Sequence, residues 1–155
     1  MFDKAYILER EQWIPAALER VFEFFKNPFN LAAITPGWLH FQINSSLPVR
    51  MEYGAEITYT IRWLGIPVRW YTRITKYEPP YCFIDEQIKG PYRTWMHLHT
   101  FEEKNGGVLM TDRVTYRLPF GPAGCLIHRL QVRRQLEEIF NYRRDVIANV
   151  FNVKE

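Results

Sequence analysis

Apolar residues fall at two different spacings along this chain, and each change of spacing marks a new kind of element. Residues 6–13 read as a first strand. Leu18, Val21, Phe22 and Phe25 then recur at helical spacing. Pro15 sits where such a helix would start, since proline is preorganised for the first helical position. Asn27-Pro28 stops it. A second short helix over 29–34 ends before Pro36-Gly37. From Trp38 onward the texture is one of longer extended runs cut by tight turns. Strands are expected over about 39–45, 55–64, 68–77, 82–88, 93–103 and 108–118. The turns between the later ones are Gly65-Ile66-Pro67, Glu78-Pro79-Pro80, Gly90-Pro91 and Asn105-Gly106-Gly107, the last a strong hairpin signal. Strands joined this tightly are antiparallel neighbours. Pro119-Phe120-Gly121-Pro122 ends the run. Residues 124–151 read as one long helix whose apolar stripe is Val132, Leu136, Ile139, Phe140, Ile147 and Val150.

Strand, two short helices, six-strand meander and long helix make an α+β domain spanning 1–155, with its helices segregated from an antiparallel sheet. Seven strands accumulate enough twist to curl around one helix. A curled sheet over a straight helix leaves space between them unless very large side chains fill it.

Composition adds two points. The chain of 155 residues is 47% hydrophobic and 16% aromatic, with 5 Trp, 9 Tyr and 11 Phe. That aromatic share suits a core and also a pocket for flat, greasy ligands. The net charge of +3 is spread out, and no basic run reaches five residues. Nucleic-acid binders concentrate such charge, so no nucleic-acid partner is expected. Cys82 and Cys125 do not make a secreted disulfide scaffold. No signal peptide and no apolar run near the ~20 residues of a membrane span are visible. A cytoplasmic protein, monomeric or weakly dimeric, is the expectation.

Side chains alternate faces along a strand, which sorts the polar residues. Asp112, Val114 and Tyr116 share a face, and the opposite face carries Arg113 and Arg117, so the first set points inward. Trp95, His97, His99 and Phe101 form another set, as do Phe83, Asp85 and Gln87. With all three sets inward, Asp85, Gln87, His97, His99 and Asp112 meet over the groove. They form either a structural hydrogen-bond network or a polar recognition point at the end of an apolar pocket. His-x-His also suits a metal, with Asp85 or Asp112 added. Arg143 falls between Phe140 and Ile147, inside the apolar stripe. It snorkels to the rim, pairs with an inward carboxylate such as Asp112, or binds an acidic ligand group. Arg129 has a similar angular position and is a candidate guard of the entrance. Trp38, Tyr59, Trp63, Trp70 and Tyr71 read mainly as core or rim packing. No phosphate loop or nucleophile elbow is present, and the only serines are Ser45 and Ser46.

The element order resembles the helix-grip fold of the Bet v 1/START-like (SRPBCC) superfamily, which includes polyketide cyclases and coenzyme Q-binding proteins. Phe83-Ile84-Asp85-Glu86-Gln87, the stretch from Gly90-Pro91-Tyr92 through Trp95-Met96-His97-Leu98-His99 to Phe101, Asp112-Arg113-Val114-Thr115-Tyr116 and Ile139-Phe140-Asn141-Tyr142-Arg143 are similar to a bacterial branch of it. Members of that branch are known mainly as ligand-binding proteins, some under a cell-division-inhibitor label. The resemblance implies a metal-free, cofactor-free domain that binds a lipid, polyketide or quinone-like molecule, as carrier or sensor. The ligand-binding residues expected are Trp70, Asp85, Gln87, Trp95, His97, His99, Asp112, Tyr116, Leu136, Phe140 and Arg143. One alternative is a cyclase, dehydratase or isomerase using His97 or His99 as acid/base with Asp112 or Asp85 as orienting partner. Another is a regulatory interaction protein with an exposed apolar patch.

Overall fold

Strand β1, Ala5–Ile14, leads through a bend at Pro15 into α1, Leu18–Phe25, and α2, Pro28–Ala33. The computed structural model describes residues 4–45, 50–63 and 65–152, so Met1, Phe2, Asp3, Ser46 and Leu64 lie outside the described residues. Pro15 precedes α1 by three positions rather than opening it. The proline at a first helical position is Pro28, where the Asn27 side chain accepts the Phe29 N–H. After α2 a single turn of 3₁₀ helix, Gly37–Leu39, occupies the start of the strand expected over 39–45. His40 follows in the left-handed region (φ 49°), which breaks the extended backbone, and β2 shrinks to Gln42–Ile43.

The remaining strands are β3, Glu56–Trp63; β4, Ile66–Glu78; β5, Cys82–Lys89; β6, Thr94–Lys104; and β7, Gly107–Arg117. All pair antiparallel in one seven-stranded sheet of order β1-β7-β6-β5-β4-β3-β2. Gly107 is required where β7 begins, because a Cβ there would overlap the Ile14 carbonyl and the Trp13 ring. Both cysteines are free thiols.

The C-terminal helix begins earlier than expected and is not uniform. It runs as α3, Gly121–Ile127, a π-helical stretch, His128–Val132, and α4, Arg133–Asn152. The wider π turn rotates the helix face between residues 129 and 133. Arg129 is therefore exposed and away from the line of Arg143. On α4 the inward positions are Leu136, Phe140, Arg143, Ile147 and Phe151, at intervals of three and four. Val150, expected in the stripe, is 36% exposed, and Phe151 at 6% takes its place. No helix among the described residues is long and apolar enough to cross a membrane.

The buried apolar residues form two clusters. One joins α1 to the far end of α4 through Phe22, Phe83, Phe101, Met110, Ile147 and Phe151. The other joins the middle strands to the near end of α4 through Trp70, Trp95, Val114, Tyr116, Leu136 and Phe140. Between the two, β6, β7 and α4 each turn polar at the same level: His97 and His99, Asp112, and Arg143.

Candidate functional site: a polar belt beside an aromatic cavity

The belt is built by strand register. Asp85 lies directly across from His97 in the β5–β6 pairing, and His99 across from Asp112 in the β6–β7 pairing. Each histidine reaches past the opposed aspartate to the diagonal one. His97 Nε2 donates to Asp112 Oδ1 at 2.7 Å, and His99 Nε2 donates to Asp85 Oδ2 at 2.6 Å. The direct pairs are longer, 3.8 Å for His97 Nδ1 to Asp85 and 3.4 Å for His99 Nδ1 to Asp112. The two imidazoles stack with centroids 3.7 Å apart. From α4, Arg143 Nη2 donates to Asp112 Oδ1 at 3.1 Å, and its guanidinium lies near the Phe25 and Phe140 rings.

Burial works against charge at all four titratable positions, and neighbours decide the outcome. Burial would raise Asp112, but Arg143 and the hydrogen bonds from both histidines hold it well below its ordinary value. Asp85 is also lowered, against burial, chiefly by the hydrogen bond from His99. Burial pushes His97 down, and the positive charge of His99 adds to that. Burial lowers His99 too, but its contacts with Asp112 and Asp85 more than offset this, and its value is raised. Both carboxylates therefore stay charged beside the Arg143 guanidinium, and of the two imidazoles His99 takes up a proton in preference to His97. A buried group of charges with no net charge is the least costly arrangement.

Asp85, His97 and His99 each offer a ligand atom, all within 4.8 Å of one another. As a metal site the set is poor. The rings are only 24° from parallel, so their lone pairs run side by side rather than converging. Arg143 adds positive charge at the same level.

Next to the belt, between sheet and α4, lies a cavity of about 170 Å³. Trp70, Trp95, Tyr59 and Tyr92 form its aromatic wall, with Leu31 and Ile34 from the α2 segment closing one side and Leu136, Ile139 and Phe140 of α4 the other. His97, His99, Asp85 and Arg143 form its polar end. Trp70 and Trp95 meet edge to face at 5.2 Å, and Trp70 and Tyr59 stack at 5.8 Å.

No protein-family model matches the chain, and no curated protein matches it in sequence. Solved structures do. The Thermus thermophilus protein TTHA0849 is similar with a TM-score of 0.72 at 17% identity, over 94% of this chain and 99% of that one. Major latex-like protein 151 from Panax ginseng gives 0.68 at 11% identity, over 95% and 97%. Ara h 8.0201 gives 0.62 at 15% identity, over 94% and 99%. The fold is Bet v 1-like. At these identities the likeness is one of fold, and what the site does rests on its own residues.

The Bet v 1-like frame brings most of the expected residues to one place. Trp70, Asp85, Trp95, His97, His99, Leu136, Phe140 and Arg143 all line the cavity. Three do not. Asp112 lies behind the histidines, linking them to Arg143. Gln87 sits beyond the last β5–β6 pair, Glu86 with Met96, and its side chain both donates to the Tyr92 carbonyl and accepts the Tyr92 N–H. Tyr116 shares a hydrogen bond of 2.7 Å with His128 Nε2, and both line a second cavity with Arg129. Tyr92, Leu31 and Ile34 carry no signal as wall residues in the sequence. They come from a turn and a short helical segment whose placement depends on the whole sheet.

Proposed function

We propose that this protein binds a hydrophobic small molecule in the cavity between sheet and α4, as a carrier or sensor in the cytoplasm, acting as a monomer or weak homodimer. The observation that carries the reading is an aromatic-walled cavity closed at one end by a paired polar belt. A filled core would need no such space, and interiors leave few voids larger than water. An engineered apolar cavity of about 150 Å³ accepts benzene. A volume of about 170 Å³ therefore suits one ring with small substituents. Longer lipid or polyketide ligands require the α2 wall to move outward. The test is native mass spectrometry after incubation with cell extract. An exchangeable small-molecule adduct is expected. A protein that never carries one, and whose spectrum is unchanged by added apolar compounds, overturns the reading.

One observation favours a second reading, proton transfer on a bound substrate. His99 lines the cavity with Nε2 donating to Asp85 Oδ2 and Nδ1 3.4 Å from Asp112 Oδ1, so the ring is fixed between two carboxylates. That is the geometry of an oriented acid/base, with Asp85 as the orienting group. If His99→Gln keeps ligand affinity and also keeps every turnover the wild type shows, this reading fails.

A further inference from the structure

The second cavity, of about 420 Å³, lies between the start of β1 and the first turns of the C-terminal helix. Ile7, Leu8 and Leu136 give it apolar surface, and Tyr6 and Tyr116 give it aromatic surface. The π-helical stretch shapes it. His128, the first residue of that stretch, is 6% exposed, stacks on Tyr6 at 3.6 Å and shares its 2.7 Å hydrogen bond with Tyr116. Arg129, the next residue, is exposed at the cavity's edge. Such π turns are rare and occur frequently at functional sites.

Charge sets this cavity apart from the first. Its walls carry Lys4, Arg129 and Arg133 against one carboxylate, Glu137. Glu137 is taken by Arg133, with Oε1 3.4 Å from Nε. Among the described residues Lys4 and Arg129 have no acidic partner, whereas Arg143 of the first cavity is bound to Asp112. The excess is felt inside the cavity. Burial lowers the His128 imidazole, and the Arg133 and Lys4 charges lower it further. Both hydroxyls stay protonated: Tyr6 is pushed up to about 12, first by its hydrogen bond with Cys125, and Tyr116 to about 12, first by burial. An anion with an apolar body answers both features of this space, and arginine takes a planar carboxylate through two parallel N–H donors. We propose that this cavity is a second ligand site, for a small aromatic carboxylate whose rings lie against Ile7, Leu8 and Leu136 and whose charge meets Arg129 and Lys4. The proposal stands apart from the reading of the first cavity, which neither cation lines.

The probes are 2-naphthoate and its neutral isostere 2-naphthamide. Two fused rings exceed what suits the first cavity and fit the larger second one. Binding is read from isoleucine methyl NMR, since Ile7 lines the second cavity and Ile34, Ile57, Ile61 and Ile74 line the first. A saturable Ile7 shift with 2-naphthoate is expected, with the other four methyls unmoved. 2-Naphthamide is expected to bind about fivefold more weakly, and about 1 M salt should remove most of that difference, because exposed cations are screened. Arg129→Gln, at an exposed position, should weaken 2-naphthoate about threefold and leave 2-naphthamide unchanged. 2-Naphthamide binding as tightly as 2-naphthoate, or Arg129→Gln binding 2-naphthoate as the wild type does, overturns the claim of an anion site. Shifts at the first-cavity methyls without Ile7 overturn the location. No saturable Ile7 shift with either compound overturns the second site and leaves the first cavity's reading standing.

Discussion

Asp112 touches no wall of the aromatic cavity, yet it holds the belt together. It accepts from His97 and Arg143 at once and is 3% exposed. Asp112→Asn keeps the shape and removes the charge. It leaves Arg143 buried without that counter-ion, and a loss of about 3 kcal/mol is expected in urea unfolding. Arg143→Leu added to that variant should be less costly than the two losses together, because both remove the same interaction. The pH dependence follows from the same groups. Asp85 and Asp112 are held below their ordinary value of 3.8, so their stabilisation is present above it and is lost as pH falls through the folded values. His99 is raised above 6.5, so its contribution is complete below that pH and is lost as pH rises through the folded value. His97, held lower, acts in the opposite sense. Imidazole proton shifts should therefore show His99 titrating above 6.5 and His97 below it, and reversed order would contradict the belt's charge assignment. Strand alternation alone indicates that these residues gather inside. It does not indicate the diagonal pairing, which depends on the register that the hairpins and the β4 irregularities near Thr72 and Lys76 impose. The position of Gln87 is illegible for the same reason, since β5 shows no clean alternation of buried and exposed positions.

At the scale of elements, the long helix carries the main lesson. Its inward face is legible because Leu136, Phe140, Arg143 and Ile147 repeat at intervals of three and four. Its end is not, because Val150 and Phe151 are both apolar and only packing against Phe24 decides between them. Nor is the π-helical stretch His128–Val132, which no composition cue marks and which carries Arg129 out of line. A matched pair of substitutions checks the corrected stripe. Ile147 is fully buried, and Ile147→Ala is expected to cost about 3 kcal/mol. Val150→Ala, on the exposed side, should stay within about 0.5 kcal/mol. Comparable losses at both positions in chemical denaturation would contradict this orientation. The weak element is β2, reduced to two residues by the turn at Gly37–Leu39 and the left-handed His40. Side chains extend the pairing beyond it, with Ser45 Oγ accepting the Thr58 N–H and Asn44 Nδ2 donating to Thr60.

At the scale of the molecule, strand count, antiparallel order and the gripped helix can all be read from turn spacing and periodicity, because tight turns leave little choice of neighbour. The cavity follows from the sequence only as an expectation of curvature. Its walls require the placement of α2 and of the turn bearing Tyr92. The central claim is that this space receives a small apolar molecule, and isoleucine methyl NMR during titration with acetophenone, one ring with a small substituent, tests it most directly. Ile34, Ile57, Ile61 and Ile74 line the cavity. Ile66 and Ile88 are exposed on the outside, and Ile7 borders the second cavity. Saturable shifts at the first four methyls, with the other three unmoved, are the expected result. Shifts confined to Ile7, Ile66 or Ile88, or no saturable shift at any methyl, would contradict a ligand site between sheet and helix.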